Sequence, residues 1–99
     1  MKYRVYERDG QWLFESANNK GGNRQATYCE SRESAERLLY LTNTWLHKKV
    51  RTCVHGELIT ASVAGAGILH DNGKLVDELY IRWNGKTYMW EAAMCEVVE

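Results

Sequence analysis

Three Asx-Gly dipeptides, Asp9-Gly10, Asn72-Gly73 and Asn84-Gly85, constrain this chain more than any other feature. Such pairs accept positive φ at both centres of a type I′ turn, whose twist matches that of the strands it joins. Around Asp9-Gly10, residues 3–16 alternate as a hairpin. A two-residue loop there pairs Val5 with Phe14, Tyr6 with Leu13, Glu7 with Trp12 and Arg4 with Glu15. That register sets opposite charges face to face and gathers Tyr3, Val5, Trp12 and Phe14 on one side, two independent signals in agreement. Around Asn84-Gly85, the run Leu79–Trp90 is the strongest local signal in the chain. It pairs Ile81 with Tyr88 and Leu79 with Trp90. One apolar face then holds Leu79, Ile81, Trp83, Tyr88 and Trp90; the other holds Glu78, Tyr80, Arg82, Thr87, Met89 and Glu91. Asn72-Gly73 reads as a third turn.

Between the hairpins the period changes. Residues 18–24 are a loop by composition, with two glycines, three asparagines and two bases. A short strand over about Gln25–Cys29 follows. Ser31 offers an N-cap and Glu33 a favourable charge in the first turn. Ala35, Leu38, Leu39, Thr42, Trp45, Leu46 and Lys49 or Val50 then recur at helical spacing. The pattern predicts one long helix over 32–51, with Lys48, Lys49 and Arg51 where its dipole favours cations. Leu58–Val63 fits a strand, although Ala64-Gly65-Ala66-Gly67 leaves a helix open. Cys95–Val98 reads as a closing strand. The expectation is an α+β fold: two antiparallel hairpins with accessory strands and one helix, packed on the sheet by Leu38, Leu39, Trp45 and Leu46.

A chain of 99 residues is one domain by length, and half of it would be marginal alone. A single domain 1–99 with a shared core is therefore expected, although its halves differ in charge. Residues 1–52 carry ten basic and six acidic side chains, a net +4. Residues 53–99 carry three basic and seven acidic, a net −4, so the total is zero. Such a split predicts faces of opposite sign. The opening residues alternate and carry charge, and no run approaches the ~20 apolar residues of a membrane span. Three cysteines, Cys29, Cys53 and Cys95, are an odd count without framework spacing, which favours reduced thiols and a cytoplasmic setting.

Catalytic chemistry finds little support. No Gly-x-Ser-x-Gly elbow is present, and no acid is tied by spacing to a histidine. Asp77 and Glu78 are adjacent, so they point to opposite faces of a strand. Gly65-x-Gly67 lacks the third glycine, lysine and following helix of a phosphate cradle. Cys53-x-His55 has metal-ligand chemistry but no structural zinc spacing, and reads as a buried thiol beside a solvent-facing imidazole. No cofactor, no metal and no enzymatic activity are expected.

The run Gly65–Val98, with its glycine-rich strand, the turn at Asn72-Gly73, Ile81-Arg82-Trp83-Asn84-Gly85-Lys86 and the terminal Glu96-Val97-Val98, resembles the meander of SH3-like barrels of the Tudor or KOW type. Three short strands followed by a helix opening Ser31-Arg32-Glu33-Ser34-Ala35-Glu36 are similar in order to arm-type DNA-binding domains of integrases. Each resemblance covers about half the chain. They imply a module that binds peptides, nucleic acid or protein surfaces.

Two candidate surfaces follow. Tyr80, Arg82, Trp83 and Met89 are residue types enriched in protein interfaces, and predict docking on a partner protein. A small non-catalytic regulatory or inhibitory accessory protein, of the kind carried by phages, fits that composition. Alternatively Arg4, Tyr6, Arg8, Lys20 and Arg24 interleave bases with an aromatic and predict contact with DNA or RNA phosphates. Self-association of +4 and −4 faces is a third reading.

Overall fold

A computed structural model describes residues 2–17 and 24–98. Among the described residues there are eight strands in two antiparallel sheets and one α-helix, an α+β fold as expected. The chain divides into two compact units, Met1–Tyr40 and Leu41–Glu99, with the division inside the helix.

The first unit contains β1 (Lys2–Arg8), β2 (Gln11–Ala17) and β3 (Arg24–Cys29), hydrogen-bonded in that order. Asp9 and Gly10 take φ of 52° and 78°, and the register pairs Arg4 with Glu15 and Val5 with Phe14 as the turn predicts. Tyr3 and Phe14 stack at 5.7 Å between ring centroids, and the Arg32 guanidinium lies 5.5 Å from the centre of the Trp12 ring. The opposite face, which carries Arg4, Tyr6 and Arg8, is partly buried. Leu13, in the cross-strand row between Tyr6 and Tyr28, is 5 % exposed, and Glu15 is buried beside Arg4.

The helix α1 spans Arg32–Trp45. Ser31 and Ser34 close a reciprocal cap: each backbone N–H donates to the other's hydroxyl at 3.1 Å. The buried stripe is Ser34, Ala35, Leu38, Leu41 and Thr42, with Leu39 only half-buried, so Leu41 takes the core role expected of Leu39. The predicted extension to residue 51 is wrong. No basic residue stands in the last turn, His47 turns left-handed at φ 67°, and β4 (Lys49–Val54) begins. Thr42, Asn43 and Thr44 are weak helix formers, and Val50, Thr52 and Val54 prefer a pleated surface. In β4 these three are buried while Lys49, Arg51 and Cys53 are exposed, a strict period of two.

Three further hairpins build the second unit. β4 turns at His55-Gly56 into β5 (Glu57–Asp71), β5 at Asn72-Gly73 into β6 (Lys74–Trp83), and β6 at Asn84-Gly85 into β7 (Lys86–Glu91). All six turn residues have φ between 49° and 79°. β5 is a strand throughout, with a bulge between Val63 and Gly65 absorbing the extra residue, which settles the alternative at Ala64–Gly67. A single 3₁₀ turn, Ala92–Met94, leads to β8 (Glu96–Val98), which pairs antiparallel with β4. The strand order is β7-β6-β5-β4-β8, an antiparallel meander from β4 to β7 with β8 added on the far side of β4. Its core is Val50, Val54, Ile59, Ala61, Val63, Leu79, Ile81 and Ala92, with Trp45, Trp83, Tyr88 and Trp90 packed against it. Thr52 ties the 3₁₀ turn to that core by donating its hydroxyl to the Met94 carbonyl at 2.7 Å.

Candidate docking surface

Alternation in the second unit sends one set of side chains to the core and the other to the outer face of the five-stranded sheet. Cross-strand register arranges the outer set in rows. Glu91, Glu78 and Gly67 form one; Met89, Tyr80 and Gly65 the next; Thr87, Arg82, Ser62 and Lys49 a third. Beyond it lie Thr60, Arg51 and Glu96. The middle row is held by a specific contact. A Cβ built on Gly65 would stand 3.3 Å from Tyr80 Cδ2, and one on Gly67 would stand 3.1 Å from Tyr80 Oη. The ring therefore occupies the space of two missing side chains, which gives Gly65-x-Gly67 a packing role. Tyr80 is consequently half-buried, whereas Met89 beside it is 55 % exposed. Arg82, Lys49 and Arg51 are exposed, and among the described residues none forms an ion pair.

Of the residues expected to bind a protein, Tyr80, Arg82 and Met89 thus come together. Trp83 does not join them: it lies on the core face, its ring 6.5 Å from that of Tyr88. The signal that could have separated it is its parity with Ile81 and Leu79. Lys49 and Arg51 were hidden by the helix expected to continue through residue 51.

The residues of the nucleic-acid reading fare differently. Arg4, Tyr6 and Arg8 share a face of β1, but Arg4 forms an ion pair with Glu15 and lies 4.7 Å over the Tyr6 ring. The Glu15 hydrogen bond also holds the Arg4 guanidinium above its ordinary pKa. Arg24 opens β3 instead of ending a loop, and Lys20 lies outside the described residues. Nearby, a shallow hollow is lined by Gly10, Gln11, Trp12, Tyr28, Cys29 and Glu30.

Cys53 is exposed on the outer face rather than buried, and His55, in the left-handed turn, sets its ring edge-on to Tyr88 at 6.3 Å. Cys29 and Cys95 are half-buried, and burial raises both thiol pKa values. All three cysteines are free. Among the described residues no group of three or more His, Cys, Asp or Glu is placed to hold a metal ion. No helix among them is long and apolar enough to cross a membrane.

The charge asymmetry changes meaning in three dimensions. Lys48, Lys49 and Arg51 belong with the acidic strands, so the first unit carries seven bases and six acids and the second six and seven, +1 and −1. Comparison with protein-family models, curated proteins and solved structures finds no match for the chain.

Proposed function

We propose that this is a non-catalytic protein of the cytosol that works by docking the outer face of its five-stranded sheet on a protein partner, as a small regulatory or inhibitory accessory protein. The observation that carries the reading is Met89, more than half exposed beside a Tyr80 ring seated on Gly65 and Gly67, with Arg82, which forms no ion pair among the described residues, in the next row. Binding energy in protein interfaces concentrates on such rigid aromatic, Met and Arg anchors with polar surroundings. Tyr80 loses little conformational freedom on binding because the glycines already fix its ring. Nucleic acid is the weaker reading, since Glu15 neutralises Arg4 and the acids Glu78, Glu91 and Glu96 repel phosphates from the outer face.

Affinity capture from lysate tests the proposal, with each arm run both with and without nuclease. A protein retained by the wild type and lost with Met89→Glu, while Arg8→Glu retains it, is the expected outcome. Capture indifferent to Met89→Glu removes this face from the function. Capture abolished by nuclease assigns the chain to nucleic acid instead.

A further inference from the structure

Among the described residues, several charges in the rows of the outer face have no ion-pair partner. Glu78 and Glu91 stand directly across from one another on β6 and β7, and like charges in that position destabilise a sheet. Neither forms an ion pair among the described residues, and Arg82 is equally without one. Arg82 cannot relieve Glu78 within the same copy. Four residues along one strand separate them by about 13 Å, with the Tyr80–Met89 row between.

That spacing has a symmetry. The acidic row and the Arg82 row lie about 7 Å to either side of the Tyr80–Met89 row. We infer that the occupant of this face is a second copy of the chain, related by a two-fold axis lying in the face along the Tyr80–Met89 row. Rotation about that axis brings Glu78 of each copy over Arg82 of the other and lays Met89 against the Tyr80–Met89 row of its partner. A two-fold axis parallel to the strands would instead set Glu78 and Glu91 against the same acids of the second copy. Charge therefore selects one of the two isologous arrangements. The inference rests on the outer face being the docking surface and names its partner.

Five strands about 4.8 Å apart, covered over a few rows, give a contact at the low end of specific interfaces. The dimer is accordingly weak, concentration-dependent and sensitive to salt, because its ionic contacts lie at the rim of the apolar row.

Analytical ultracentrifugation of the full chain, from low micromolar to several hundred micromolar protein, tests the arrangement. The wild type should be in monomer–dimer equilibrium that weakens with added salt. Glu78→Arg and Arg82→Glu should each weaken self-association at least tenfold, since each sets like charges face to face. An equimolar mixture of the two variants should dimerise again, because every contact across the axis then joins Arg to Glu. Met89→Glu, at a position more than half exposed, should also give a monomer, and unchanged thermal unfolding would show that its fold is intact. A wild-type chain that stays monomeric throughout overturns the inference, as does a dimer indifferent to both charge reversals or a mixture that fails to recover. A monomer that still loses a captured protein with Met89→Glu overturns only the second copy and leaves the docking face standing.

Discussion

Tyr80 and Gly67 should be thermodynamically coupled although neither is in the core. Neither Gly65 nor Gly67 has positive φ, so the backbone there accepts any side chain. What forbids one is the Tyr80 ring: a Cβ on Gly67 would stand 3.1 Å from Oη, 3.5 Å from Cζ and 3.6 Å from Cε2. An alanine could be met by a small shift of the phenol end. Gly67→Val adds two further carbons in the volume the ring fills, so the ring must leave the face. Expelling a half-buried tyrosine forfeits about 1–2 kcal/mol of burial. Valine's preference for a strand returns up to about 1 kcal/mol. In the wild type Gly67→Val should therefore destabilise by about 0–2 kcal/mol, the difference of two opposing effects. Tyr80→Ala alone should cost about 1–2 kcal/mol. In that background the clash is gone, and Gly67→Val should stabilise by up to about 1 kcal/mol. Urea unfolding of the four proteins reads the coupling as about 1–2 kcal/mol, well above the scatter of independent sites. Substitutions that add within ~0.3 kcal/mol would mean the ring does not rest on β5.

Three further outcomes follow from buried groups. Leu79, at 0 % exposure, should cost about 2–5 kcal/mol when cut to alanine, read as a lower urea midpoint at unchanged slope. Thr52→Val keeps the shape but strands the Met94 carbonyl, so the loss should be about 1–3 kcal/mol, and hydrogen exchange should accelerate in β8 before the rest of the sheet. Under a thiol reagent Cys53 should be modified first. Cys29 and Cys95, whose pKa values burial raises, should lag at neutral pH and catch up as pH climbs toward those values; simultaneous labelling would contradict their burial.

How much of this was legible in the sequence depended on which physical signal each element used. Asx-Gly marks a left-handed pair by its own chemistry, so the hairpins at Asp9-Gly10 and Asn84-Gly85 could be read to the residue. His55-Gly56 makes the same turn, but His-Gly is not among the Asx-Gly pairs that mark type I′ hairpins in a sequence. The end of α1 was misread because Trp45, Leu46, Lys49 and Val50 keep helical spacing while Val50, Thr52 and Val54 keep strand spacing. Tertiary pairing with β5 decides between them: His47 N–H donates to the Val63 carbonyl, and Val63 N–H donates to that of Lys48. Tyr80, Arg82 and Met89 were legible as a surface because parity places them together. The support under Tyr80 was not, since it depends on the bulge that brings Gly65 opposite it.

The charge pattern has a different meaning on faces than in segments. Cutting the chain at residue 52 puts Lys48, Lys49 and Arg51 on one side, and leaves seven acids and three bases on the other. Hairpin pairing then interleaves what the cut divides. Lys49, Arg51, Lys74 and Arg82 share one face with Asp71, Glu78, Glu91 and Glu96, four bases and four acids. A face of zero net charge attracts nothing by its total. It can discriminate only by the order of its rows, acid, then apolar, then base. Sliding a partner by two residues along the strand, about 7 Å, would exchange attraction for repulsion or strand a charge over Met89. Recognition on such a face depends on orientation more than on strength, and for that reason reversing a single charge should matter there more than the net charge of zero implies.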